Sequence, residues 1–252
     1  MVKGKSKITG KIFSTKDYGD FIVLSYEDNR KVKVKFLNTG YETYTQHNKA
    51  VKGTVKDHLA PCVFGVGITE GLSTRDADGK ISLDYNLWCG MLERCYSEKY
   101  QLLKPTYKGC TVSDNFTRFS YFREWCNKQV GFGVNGFRLD KDILVKGNKV
   151  YSETTSCFVP YEINSLLSCS GKRRGKYPIG VSFESRKGLF QATVSFYGRN
   201  KLIGYYNTTE EAFQAYKQAK EGYIKEVANK WKDQIDPRVY EALMNYQVEI
   251  TD

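Results

Sequence analysis

Histidine is nearly absent from this chain: its 252 residues include only His47 and His58. Neither has an acidic or thiol partner at ligand spacing, so both read as polar surface residues. The seven cysteines, Cys62, Cys89, Cys95, Cys110, Cys126, Cys157 and Cys169, form no Cys-x-x-Cys pair. A structural zinc site needs closely spaced thiols or histidines, so no zinc is expected and the cysteines read as reduced side chains in cores. No apolar run is long enough to span a bilayer, and the charged start of the chain leads into no apolar signal core. The expectation is therefore no membrane partner and a cytoplasmic placement. Gly65-Val66-Gly67 is not followed by Gly-Lys-Ser/Thr, which excludes a phosphate loop. Acidic charge is the scarcer sign, with 28 Asp and Glu against 39 Lys and Arg, and the net charge of +11 suits a polyanionic partner. The surplus is uneven, concentrated at Lys3, Lys5, Lys7 and Lys11 and again at Lys172, Arg173 and Arg174.

The first 72 residues read as all-β. A strand at 21–26, a turn at 27–30 and a strand at 31–36 are expected, the last placing Val32, Val34 and Phe36 on one face and Lys31, Lys33 and Lys35 on the other. Those lysines either lie along phosphates or protect an edge strand from pairing. Residues 51–71 are expected to finish a small barrel. Farther on, Trp88, Met91, Leu92 and Cys95 share one helical face in 87–96, and Phe119, Phe122 and Trp125 share another in 116–125. Apolar stripes at helical spacing belong to a core.

The most informative stretch runs from Tyr177 to about Lys230. Phe190, Ala192, Val194 and Phe196 alternate with Gln191, Thr193, Ser195 and Tyr197, so one strand face is apolar and the other carries hydrogen-bonding groups. An amphipathic helix follows, capped by Thr208 or Thr209, with Glu210 and Glu211 in its first turn and Ala212, Ala215, Tyr216, Ala219, Tyr223 and Val227 at helical spacing. The helix covers the apolar sheet face. The other face stays open, flanked by Lys172, Arg173, Arg174, Lys176, Arg186, Lys187, Arg199 and Lys201 against the single acid Glu184. A three-stranded sheet fits the major groove, where Gln191, Thr193 and Ser195 could read base edges while the cations hold phosphates.

Tyr177, Gly180-Val181, Phe190-Gln191-Ala192 and above all the run from Leu202 through Gly204, Thr208, Glu210-Glu211-Ala212 to Ala215-Tyr216 resemble the plant ethylene-response (Apetala-two) DNA-binding domain, which also occurs in phage and bacterial homing endonucleases. The resemblance implies double-stranded DNA as partner. The chain departs from the plant pattern in a Leu189-Phe190 pair where tryptophans stand and in fewer strand arginines, so the plant base preference is not carried over.

Residues 139–167, with an acidic hairpin, an asparagine in its turn, Tyr151-Ser152 and then Phe158-Val159-Pro160 and Ile163-Asn164, resemble the distal part of phage HNH-type homing endonucleases. In that ββα-metal fold a strand aspartate and a helix histidine or asparagine hold a divalent metal, and a histidine beside the aspartate deprotonates water. The resemblance thus implies Asp140 or Asp142 as metal carboxylate, Asn148 as the hairpin asparagine, Asn164 as the helix ligand, and Mg²⁺ or Mn²⁺ as cofactor. Where the family has its histidine this chain has Lys141, and lysine, a cation at neutral pH, has no lone pair to offer water.

The expected fold is α+β: a small β-barrel-like module (1–72), a central helical and degenerate ββα-metal module (80–170), a three-stranded antiparallel sheet packed on a helix (171–235) and a helical tail (236–252). Two functions stay open. One is a phage DNA-binding protein of the HNH homing-endonuclease type that nicks DNA with a metal in the host cytoplasm. The other is a catalytically inactive DNA-binding regulator or counter-defence protein that binds a host protein.

Overall fold

A computed structural model of the chain describes residues 8–167 and 176–250. Lys172, Arg173 and Arg174, expected beside the open sheet face, lie outside the described residues, as does Cys169. The fold is mixed α+β with several small sheets. Its contacts gather into two compact units that divide between Glu124 and Trp125, inside a helix, where the sequence suggests breaks near 72 and 170.

In the first unit, β1 (Ile12–Ser14), β2 (Asp20–Asp28), β3 (Lys31–Phe36) and β4 (Glu42–Thr45) form an antiparallel meander in that order. Alternation fixes its faces: Phe21, Val23, Val32, Val34 and Phe36 are buried, joined by Ala50 from α1 (His47–Val51) and by Val55. The expected barrel does not close. The edge strands β1 and β4 are short and do not pair with each other, and residues 51–71 contribute turns whose one antiparallel bridge joins Val63 to Gly67. β3 is an interior strand, so its lysines do not protect an edge. They meet acids instead: Lys33 and Lys35 reach Glu42 at 2.8 and 3.5 Å, and Lys31 reaches Glu27 at 2.7 Å. The histidines are not free surface groups either. Each is half-buried edge-on to a tyrosine, His47 at 5.8 Å from Tyr26 and His58 at 5.6 Å from Tyr41.

The same unit continues with α2 (Leu83–Tyr96), α3 (Glu98–Leu103), β5 (Thr111–Val112) and the start of α4 (Phe119–Asn127). Trp88, Met91, Leu92 and Cys95 are buried on α2 as their spacing requires, and Phe119 and Phe122 are fully buried on α4. The Trp88 indole N–H donates to the Phe116 carbonyl at 2.7 Å, so this buried donor has a partner.

The second unit holds β6 (Phe137–Asp140), β7 (Val150–Tyr151), β8 (Cys157–Pro160), α5 (Tyr161–Leu166), β9 (Val181–Glu184), β10 (Leu189–Phe196), β11 (Arg199–Tyr206), α6 (Thr209–Trp231) and α7 (Pro237–Met244). β6 and β8 pair antiparallel, with Asp140 opposite Cys157, and α5 follows directly. β9, β10 and β11 form the expected three-stranded antiparallel sheet, with β10 central. α6 starts in a capping box: the Glu211 N–H donates to Thr208 Oγ1 and the Thr208 N–H donates to Glu211 Oε2, both at 3.2 Å. Ala212, Phe213, Tyr216, Tyr223, Ile224, Val227 and Ala228 are its buried face. They meet Ala192 and Val194 of β10, and the same core contains Ile143, Cys157, Val159, Ile163 and Leu166. Burial of each Val or Ile here contributes about 1.5–3 kcal/mol. Hairpin and sheet therefore share one apolar core.

Gly180, just before β9, has φ +76°, and a Cβ there would overlap the Tyr216 ring. Its carbonyl accepts the Thr193 N–H at 2.8 Å, so the bare backbone sits between helix and sheet.

Candidate nucleic-acid interface and acidic hairpin

Cross-strand register sorts the side chains of the C-terminal sheet. Ser182, Gln191 and Tyr205 stand in one row across β9, β10 and β11, on the face opposite Ala192 and Val194. Gln191 Nε2 donates to Ser182 Oγ at 2.8 Å, which fixes the amide. Thr193 and Ser195 continue this face along β10, opposite Leu202 and Asn200 of β11. The expected readers Gln191, Thr193 and Ser195 thus share one surface that α6 does not cover.

The cations divide differently from the expectation. Between Ala192 and Thr193 the pairing with β11 shifts by one residue: Ala192 faces Gly204, but Thr193 faces Leu202. Ile203 is the extra residue, and its side chain packs on the core. Beyond this bulge Lys201 is paired with Val194 and Arg199 with Phe196, which places both on the helix-side face. Lys201 Nζ accordingly lies 5.5 Å from the Phe196 ring centre. Lys176 leans on Tyr177 at 5.0 Å, and that ring meets Phe190, again of the helix-side set. Arg186 and Lys187, in the β9–β10 turn, are exposed, and Lys187 Nζ sits 3.6 Å from the Tyr205 ring centre, over the open face. Such a cation–π contact contributes about 0.5–1 kcal/mol at an exposed site. Tyr205, Ser182 and Asn200 are members of this face that alternation along β10 alone did not single out; they emerge only from the register.

The acidic hairpin is tightly self-bonded. Asp140 Oδ1 accepts the backbone N–H of Asp142 and of Ile143, both at 2.9 Å. Burial and the neighbouring Asp142 carboxylate push the Asp140 carboxyl up to about 6, against the lowering effect of those two N–H groups. Lys141 is buried, and its ammonium donates to Asp142 Oδ2 and to the Asn148 carbonyl, both at 3.0 Å. The Asn148 amide donates to the Lys141 and Val150 carbonyls at 2.6 Å each, and its oxygen accepts the Val150 N–H at 3.2 Å. Asn164 stands half-buried on α5, next to the fully buried Ile163. Cys157, opposite Asp140, has its thiol pushed up by burial and by the Asp140 and Asp236 carboxylates, so it is a poor nucleophile and a poor ligand. Asp236 itself caps α7 and grips the Arg238 guanidinium at 2.7 Å.

These contacts test the implied metal. A hard divalent ion needs carboxylate and amide oxygens facing a common point. Here one oxygen of Asp140 takes two backbone donors, Asp142 holds an ammonium, and the Asn148 oxygen closes its own turn. The residues present do not fit the ion. Among the described residues, no three His, Cys, Asp or Glu side chains gather as a metal-ligand set.

None of the family models, curated proteins or solved structures compared with this chain matches it. Among the described residues, no helix is long and apolar enough to cross a membrane.

Proposed function

We propose that this protein binds double-stranded DNA through the uncovered face of its C-terminal sheet, and that its acidic hairpin is a structural element of the same unit. The observation that carries the reading is the surface made by Ser182, Gln191, Tyr205, Thr193, Ser195 and Asn200, a set of donors and acceptors with Arg186 and Lys187 at its end. Amide and hydroxyl groups suit base edges, and the turn cations suit phosphates. The overall charge of +11 favours encounter with a polyanion. In this reading the chain resembles a homing endonuclease in layout and lacks its chemistry.

Fluorescence anisotropy of the full chain on a labelled duplex, across a salt series, tests the binding. Affinity should fall steeply with salt, and the combined Arg186→Ala and Lys187→Ala variant should lower the salt slope by about 2. No binding at low salt, or a double variant identical to the parent, would refute the assignment. Supercoiled plasmid incubated with Mg²⁺ or Mn²⁺ should stay uncut, and nicking that Asp142→Asn abolishes would instead favour the endonuclease.

A further inference from the structure

We infer that the Lys141 ammonium is the resident cation of the acidic hairpin, standing in for the divalent metal that the layout would otherwise call for, and that this makes the hairpin a metal-independent clasp. Lys141 occupies the position between two aspartates where the resemblance implies a base. Its ammonium spends two N–H bonds on Asp142 and the Asn148 carbonyl, and the structure gives it a different task.

The residue is only 6% exposed. Its Nζ bridges Asp142 Oδ2 and the Asn148 carbonyl, and the Tyr151 ring centre lies 6.0 Å away. The two protein acceptors are six residues apart in sequence, so the ammonium closes the loop between β6 and β7 from inside. Asn148 works from the other direction, donating back to the Lys141 carbonyl. The result is a reciprocal pair: the side chain of Lys141 on the backbone of Asn148, and the side chain of Asn148 on the backbone of Lys141. A buried charge is tolerated only when paired and hydrogen-bonded, and both conditions are met by Asp142 and Asn148. A second cation placed on Asp142, whose carboxylate is about half exposed, would share it with the ammonium already 3.0 Å away, and like charges on one carboxylate repel. Ion and lysine are therefore alternatives, and the lysine is built in.

The full-length protein in thermal unfolding tests this directly. With Lys141 present, the Tm should be the same in EDTA and in millimolar Mn²⁺. Lys141→Met keeps the apolar stem and removes the charge; loss of the ammonium's hydrogen bonds to Asp142 and to the Asn148 carbonyl should lower the Tm by roughly 3–10 °C. Lys141→Arg retains the charge and should recover most of that loss. A Tm of the parent protein that Mn²⁺ raises, with the rise abolished in Asp142→Asn, would overturn the inference. So would a Lys141→Met variant as stable as the parent, or a Lys141→Arg variant no better than Lys141→Met. If Lys141→Met does not fold, that is the predicted loss in its extreme form, and the Mn²⁺ comparison and Lys141→Arg still decide the outcome.

Discussion

Asp140→Asn should stabilise this protein at neutral pH, against the usual effect of substituting a half-buried polar residue. The Asp140 carboxyl is pushed from its ordinary 3.8 to about 6 by burial and by the Asp142 carboxylate. A group raised in this way binds its proton more tightly in the folded state than in the unfolded one. Stability from this group is therefore fully present below about pH 4, declines as the pH rises, and is lost above about pH 6. About two pH units at 1.36 kcal/mol each would set the difference at ~3 kcal/mol, and partial solvent contact reduces the expected gain to ~1–3 kcal/mol. Asparagine keeps an oxygen for the Asp142 and Ile143 N–H groups and carries no charge to desolvate. Urea unfolding followed by tryptophan emission, on parent and variant from pH 4 to 8, measures the effect; Trp125 and Trp231 report on the second unit. The gap should open between pH 4 and 6 and stay open above. A variant destabilised by the same amount at every pH would show that the ionised carboxylate is what the turn needs, and would refute the reasoning.

Other perturbations follow from the same contacts. Arg186→Ala with Lys187→Ala should weaken duplex binding more than Arg199→Ala with Lys201→Ala, because the second pair lies on the helix-side face; equal losses in a competition assay would mean that both faces touch DNA. Gly180→Ala should cost about 2–4 kcal/mol in urea unfolding, since it combines a left-handed φ with overlap onto Tyr216. A fragment beginning at residue 171 should lack a cooperative transition by circular dichroism, because Ile143, Cys157, Val159, Ile163 and Leu166 of the shared core are missing from it.

Local chemistry was legible in the sequence wherever one element decides its own pattern. The helix start at Thr208 or Thr209, which the structure resolves as a Thr208–Glu211 capping box, the alternation of Phe190, Ala192, Val194 and Phe196, the β2–β3 hairpin and the stripe of Trp88, Met91, Leu92 and Cys95 all follow from periodicity and end chemistry. What depends on partners far along the chain was not legible. That β3 is interior depends on β4 pairing with it, and the open edge between β1 and β4 depends on strand lengths that composition does not set. Lys141 reads as a failed base because it stands where the resemblance implies a histidine; its contacts with Asn148, which close the loop over it, lie beyond what the sequence shows. The open face was half legible: Gln191, Thr193 and Ser195 were placed by alternation, whereas Tyr205 and the loss of Arg199 and Lys201 to the other side needed the register.

The bulge at Ile203 makes the charge of the open face a matter of counting residues. Were Ile203 to pair with Thr193 in simple alternation, Lys201 and Arg199 would stand opposite Ser195 and Tyr197 on the open face, and Leu202 and Asn200 would turn toward the helix. A one-residue slip of this register would thus trade a neutral, hydrogen-bonding surface for a cationic one with no side chain changed. In the proposed DNA-binding reading, the register of one strand decides between a face that discriminates among sequences and one that grips any of them.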